Sequence, residues 1–106
     1  MIAIENCGLS SEIQNKINSI FKKHAKIEKV ILYGSRALGN YKNGSDIDLS
    51  IYASLLNLKD LLQIQNEIDD LLLPYKVDLS LIHLIDNHQL IDHIKRVGLV
   101  FYPNDL

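Results

Sequence analysis

Two short stretches decide the fold of this chain: residues 30–35, VILYGS, and residues 45–49, SDIDL. The first is typical of a buried strand that ends in a turn of small residues at Gly34 and Ser35. The second begins a strand in which Asp46 and Asp48 share one side, because successive side chains of a strand point to opposite faces. Together they predict a sheet that carries two carboxylates beside a glycine turn.

Strand-like and helix-like segments alternate on both sides of these stretches. We therefore expect one domain over residues 1–106 with an α/β (α+β in some schemes) fold. Its mixed β-sheet should have helices packed on one face and an open, carboxylate-bearing cleft. Helices are expected at about 12–24, 35–38, 58–72 and from 86 or 87 to 97, and strands at 30–33, 46–52, 76–82 and 99–102.

Local patterns add detail to two of the helices. Ser11 is expected to cap the first helix, with Gln14 three residues later completing a capping box. On the long helix before Pro74, the apolar residues are expected to face the core: Leu58, Leu61, Leu62, Ile68, Leu71 and Leu72.

The composition narrows the class of protein. The net charge at pH 7 is −2 with acidic and basic residues interspersed, so no basic stripe indicates long nucleic acid as the main ligand. The single Cys7 cannot form an internal disulfide, which fits a reducing cytoplasm. No apolar run reaches the ~20 residues of a membrane span, and residues 1–6 lack the pattern of a leader. We expect a small cytoplasmic protein that is not membrane-bound.

A third carboxylate, Asp78, joins the first two through the expected topology. The helix between the second and third strands favours their parallel pairing, so both strands begin at the same edge of the sheet. Asp46, Asp48 and Asp78 all lie near those beginnings. If the first strand runs antiparallel to the second, it delivers Ser35 to the same edge.

These residue types together favour phosphoryl chemistry on a nucleotide. Carboxylate oxygens are suitable ligands for Mg²⁺, which commonly takes one or two carboxylates together with substrate phosphates. Gly34 lets the backbone approach closely, Ser35 and the N–H groups after it can donate to phosphate oxygens, and Arg36 can add positive charge. The predicted reaction is in-line attack of an acceptor hydroxyl on the α-phosphorus of a nucleotide whose triphosphate is bound by Mg²⁺ on Asp46 and Asp48. Asp78 is expected to help bind a second, catalytic metal and to orient or deprotonate that hydroxyl.

The combination of Gly34-Ser35, Asp46-Ile47-Asp48 and a later Asp78 resembles the DNA polymerase β-type nucleotidyltransferase superfamily. The short length and the form Gly-Ser-Arg-Ala-x-Gly…Ser-Asp-Ile-Asp-Leu are similar to its minimal members, the MNT-domain (MntA-like) proteins. The resemblance implies that Gly34 and Ser35 bind nucleotide phosphates and that the three aspartates bind Mg²⁺. It also implies an antitoxin that transfers AMP from ATP to a tyrosine of a partner HEPN-domain ribonuclease toxin.

Other interpretations stay open at this point. The acceptor can be a small hydroxylated molecule, or the chain can be a non-catalytic antitoxin that neutralises its partner by binding. Arg36 can equally be a solvated or salt-bridging residue. The remaining helical aspartates are expected on solvated faces. The histidines lack a metal-ligand spacing and are expected at the surface or at helix ends, with His83 also close enough in sequence to the Asp78 strand to lie near the cleft; they are His24, His83, His88 and His93.

Overall fold

The computed structural model describes residues 4–104. Its helices are α1 (Ser11–Lys22), α2 (Ser35–Leu38), α3 (Leu58–Asp69) and α4 (His88–Val97), with a 3₁₀ turn at Ile82–Leu84. Its strands are β1 (Lys29–Tyr33), β2 (Ile47–Tyr52), β3 (Val77–Leu81) and β4 (Leu99–Tyr102). The order of helices and strands is the predicted one. The prediction that residues 1–6 are not a leader concerns a segment that lies partly outside the described residues.

The four strands form one mixed sheet in the order β3-β2-β1-β4. β1 runs antiparallel to β2 and pairs Tyr33 with Asp48. β2 runs parallel to β3 and pairs Asp48 with Asp78. The predicted parallel pairing of β2 with β3 is confirmed, and the antiparallel pairing of β1 with β2 meets the condition set for Ser35. The carboxyl end of β1 and the beginnings of β2 and β3 therefore lie at one edge of the sheet.

The core fills one face of the sheet. Ile47, Leu49 and Ile51 alternate along β2 and are fully buried there, because α1 and α3 cover this face. Phe21 of α1 packs edge-on against Phe101 of β4, with ring centroids 6.5 Å apart. Other members of this core are Ile17, Val30, Leu32, Ile64 and Ile68.

The predicted capping box of α1 is wrong. Ser10, one residue earlier than expected, is the N-cap, and its hydroxyl accepts from the Ile13 N–H. Gln14 is buried, and its amide group bonds the N–H and C=O of Ile4 and the C=O of Leu9. It fastens the N-terminal segment to the helix, because a buried amide must find partners for both its donor and its acceptor.

The predicted core side of α3 is partly wrong. The side chain of Asn57 accepts from Asp60 N–H and that of Asp60 accepts from Asn57 N–H, a capping box that fixes where the helix starts. The helix then buries Ile64 and Ile68 and leaves Leu58 and Leu62 more than half exposed. It ends at Asp69, so that Leu72 lies beyond it and is also exposed.

The last helix, α4, covers the β1 end of the opposite face. Ile31 points away from its neighbours Val30 and Leu32, which belong to the main core. A Cβ at Gly98, just after α4, would overlap Ile31 and the carbonyl of Ile94, so glycine permits this close approach. α4 therefore lies on the carboxylate side of the sheet, so the expectation that the helices pack on one face holds for α1 and α3 but not for α4. No helix within residues 4–104 is long and apolar enough to cross a bilayer.

Candidate active site

Asp48 and Asp78 face the same side of the sheet from adjacent parallel strands, where they are direct partners in the register. Neighbouring strands lie about 4.8 Å apart, so the two carboxyl groups are close together. Asp46 lies just before β2, which begins at Ile47 rather than at Asp46 as expected. The sheet thus pairs Asp48 with Asp78, and Asp46 lies two residues before Asp48 in the loop that leads into β2.

The electrostatics of Asp48 reflect this crowding. Burial raises the pKa of its carboxyl group, and the charges of Asp78 and then Asp46 raise it further. The positive charge of Lys76 opposes the shift. Folding therefore concentrates the negative charge of the aspartates around Asp48, and the nearby positive charge is too small to balance it.

Asp78 has one cationic neighbour. The Lys76 ammonium lies 3.6 Å from an Asp78 carboxylate oxygen, but the two side chains are 71% and 45% exposed. An ion pair this exposed is weak, since water screens it. The weak ion pair with Lys76 therefore does not prevent the Asp78 carboxylate from binding a metal ion.

Gly34 ends β1 in a conformation that only glycine adopts easily, with φ at +75°. A Cβ at this position would also overlap the Asp48 carboxylate. Glycine is therefore required twice, for the backbone angle and for the close approach of the turn to the carboxylate. Ser35 follows as the first residue of α2.

Arg36 does not reach this group, and the expectation that it adds charge beside a polyphosphate is not met. It is only 2% exposed. Its guanidinium donates to the Ser45 carbonyl through Nε and Nη2, at 3.1 and 2.9 Å, and to the Cys7 carbonyl through Nη1 at 2.8 Å. The rings of Tyr41 and Tyr75 lie on either side, 5.1 and 4.9 Å from Cζ. Arg36 instead fixes the loop immediately before Asp46.

Tyr33 lies on the carboxylate side of β1, opposite Asp48. Burial raises the pKa of its hydroxyl, and the two facing aspartates add to that effect against the opposing hydrogen bond with Ser80. The Tyr33 hydroxyl therefore stays protonated near them. Behind it, the Ser80 hydroxyl donates to the Ser50 hydroxyl at 3.1 Å. A polar layer thus continues along this face below the carboxylates.

His93 is the site residue that sequence reasoning missed. It was expected at the surface or a helix end, but α4 places its Nε2 3.3 Å from the Gly34 nitrogen, which donates to it. Its ring packs edge-on against Tyr33, with centroids 6.2 Å apart. The only signal in the sequence is its position on the inner side of an amphipathic helix, one residue before the buried Ile94. His83, by contrast, hydrogen-bonds the Leu56 carbonyl.

The donor chemistry fits a hard divalent cation. Among residues 4–104, no three side chains of Asp, Glu, His or Cys are grouped so that they could hold a metal ion by themselves. Magnesium, however, commonly binds one or two carboxylates and takes its other ligands from phosphate and water. A cation here also offsets the repulsion that raises the Asp48 pKa.

Comparison with known proteins places this chain in a family. A protein-family model described as "Polymerase beta, Nucleotidyltransferase" matches residues 15–106. A Methanocaldococcus jannaschii protein that bears the name of a protein adenylyltransferase is 36% identical over 77 residues, which cover 72% of this chain and 78% of that protein.

Solved structures show the same fold. A crystal structure of a toxin-antitoxin with AMP-PNP is similar with a TM-score of 0.70 and 22% identity, over 84% of this chain and 72% of that chain. A crystal structure of the toxin-antitoxin MntA-HepT is similar with a TM-score of 0.67 and 19% identity, over 88% and 72%. With the family model spanning most of its length, the chain belongs to the polymerase β-type nucleotidyltransferases.

Proposed function

We propose that this chain is the antitoxin of a toxin–antitoxin pair and that it transfers AMP from ATP to a hydroxyl group, that of a tyrosine, on a HEPN-type toxin in the cytoplasm. The observation that carries the proposal is the contact of Gly34 with Asp48, in register with Asp78. It sets the glycine turn that precedes α2 against a pair of carboxylates. The M. jannaschii relative and the toxin-antitoxin structures support the kind of acceptor.

The residues divide the reaction between them. Asp46, Asp48 and Asp78 would hold Mg²⁺, which neutralises triphosphate charge and polarises the α-phosphorus when bound. Ser35 and the backbone at the start of α2 bind the phosphates. Asp78 orients the acceptor hydroxyl and takes its proton while the oxygen forms a bond to the α-phosphorus. The bond from the α-phosphorus to the bridging oxygen breaks, and pyrophosphate leaves.

Incubation with labelled ATP, Mg²⁺ and a candidate HEPN-type toxin tests the proposal. The toxin should become labelled at one hydroxyl residue, and toxin ribonuclease activity should fall in parallel. Asp46→Asn should abolish labelling, whereas the matched control Asp70→Asn, an exposed residue at the end of α3, should label as the unchanged chain does.

Three results would contradict the proposal. The first is equal labelling by the Asp46→Asn variant. The second is full inhibition of the toxin by that variant without transfer, which would identify an antitoxin that acts by binding. The third is transfer to a small hydroxylated molecule with no labelling of any protein.

A further inference from the structure

We propose that His93 is a positioning residue that holds the Gly34–Ser35 turn in the conformation that receives phosphate. The inference rests on the proposed function, since it assigns a role within nucleotide binding. It concerns a residue on α4, remote in sequence from both the glycine turn and the aspartates.

The contact itself defines what His93 does. Its Nε2 accepts a hydrogen bond from the Gly34 N–H at 3.3 Å. An imidazole nitrogen that accepts carries no proton, so this bond selects the neutral tautomer with hydrogen on Nδ1. The Gly34 N–H is therefore already hydrogen-bonded to His93. The first backbone N–H that can still donate to a phosphate is that of Ser35.

The turn needs an external partner. Gly34 sits at φ +75° and precedes a helix of only four residues, and it supplies no side chain to cap that helix. Glycine has the largest backbone freedom of any residue, so an unanchored turn would sample other angles. A bond from α4 removes part of that freedom before any ligand arrives, which lowers the entropic cost of binding.

His93 is itself held firmly in place. The Asn87 side chain caps α4 by accepting from the N–H groups of Gln89 and Leu90. Ile94, the next residue after His93, is buried. The Tyr33 ring packs edge-on against the imidazole. The helix therefore presents Nε2 to the turn from a fixed position.

The test compares two substitutions at the same site. His93→Gln keeps an acceptor at about the reach of Nε2, whereas His93→Leu keeps bulk without any acceptor. His88→Leu, an exposed position at the start of the same helix, is the matched control. Should His93→Leu not fold, as judged by urea unfolding, His93→Met replaces it.

Two readouts are needed. Calorimetric titration with Mg²⁺ and AMP-PNP should show about tenfold weaker binding for His93→Leu, as expected for one lost hydrogen bond, and a change within about twofold for His93→Gln and His88→Leu. Without nucleotide, hydrogen exchange of the Gly34 amide should accelerate about tenfold in His93→Leu only.

The results separate this inference from the proposed function. Unchanged affinity in a folded His93→Leu protein would overturn the positioning role, as would an equal loss in His93→Gln. If the unsubstituted chain binds no AMP-PNP at all, the proposed function fails. The exchange of the Gly34 amide would then still decide whether His93 holds the turn.

Discussion

The two faces of β2 show how one strand serves both stability and chemistry. Ile47, Leu49 and Ile51 on one face are fully buried in the hydrophobic core. Asp48 on the other face meets Asp78, and Ser50 bonds Ser80. The alternation of the strand separates the two tasks residue by residue, so each can be disturbed without touching the other.

The two faces contribute to stability with opposite sign. Each large apolar side chain fully buried on the core face contributes about 1.5–3 kcal/mol. On the polar face, burial and the neighbouring aspartates raise the pKa of Asp48, which means that its ionised form opposes folding. The free energy gained in the core therefore offsets the cost of keeping these carboxylates ionised and close together.

The largest effect is expected on the polar face. Asp48→Asn should lower the rate of the proposed AMP transfer about a thousandfold, or about 4 kcal/mol in the barrier, because it removes a proposed ligand of the cation. Single-turnover transfer from labelled ATP measures this. Asp70→Asn is the control and should keep the full transfer rate. A loss of less than tenfold in the transfer rate of Asp48→Asn would contradict the proposal that the polar face of β2 carries the reaction.

On the core face, Leu49→Ala should cost about 2–5 kcal/mol of unfolding free energy, because it leaves a cavity beneath α1 and α3. Urea unfolding followed by circular dichroism measures the loss. The same substitution at Leu62, which is 58% exposed, is the control and should cost far less. Equal losses at both positions would show that the core does not depend on this face.

Arg36 lies between these extremes, since it stabilises the fold and also fixes the loop before Asp46. Arg36→Gln should cost about 2 kcal/mol in urea unfolding, because carbonyls of Cys7 and Ser45 lose charged donors. Arg96→Gln, which removes an exposed pair with Asp92, should change stability by less than about 1 kcal/mol. A loss in Arg36→Gln no larger than in that control would contradict the structural role.

The smallest effect is a gain in stability from Asp48→Asn. The folded pKa of Asp48 lies above its unfolded value, so the folded chain binds the proton more tightly. Without magnesium, stability should fall as pH rises from the unfolded pKa through the folded one, and stay low above it. At pH 7 the variant should melt a few degrees higher than the unsubstituted chain.

The pH and metal dependence of that difference checks its cause. The difference in melting temperature between the variant and the unsubstituted chain should vanish at about pH 3. At that pH the Asp48 carboxyl group is protonated, so the side chain at position 48 is neutral in both proteins. Added Mg²⁺ should raise the melting temperature of the unsubstituted chain more than that of the variant. A variant that melts lower at pH 7 would contradict the electrostatic account.

Strand parity made much of this structure predictable. Alternation within residues 46–52 and 76–82 placed Asp48 and Asp78 on one face, and the helix between the strands implied their parallel pairing. These inferences depend only on a period of two and on chain reach, so they survive errors of a residue or two at strand ends. The start of β2 at Ile47 instead of Asp46 changed none of them.

What failed depended on contacts between distant segments. Gln14 has the spacing of a capping residue, but the packing of Ile4 and Leu9 against α1 gave it buried partners instead. Arg36 lies next to Ser35 in sequence, yet the N-terminal segment and Tyr75 surround it. His93 enters the site only because α4 packs against β1. No pattern within a short stretch of sequence predicts these contacts.

The parallel pairing of β2 with β3 also sets the order in which the glycine turn and the aspartates come together during folding. Partners across this pair, such as Ser50 and Ser80, are 30 residues apart in sequence, so closing this loop is slower than joining β1 to β2. A chain still emerging from the ribosome thus has its glycine turn well before Asp78 is available. We expect a nascent chain to gain nucleotide affinity only once β3 has docked.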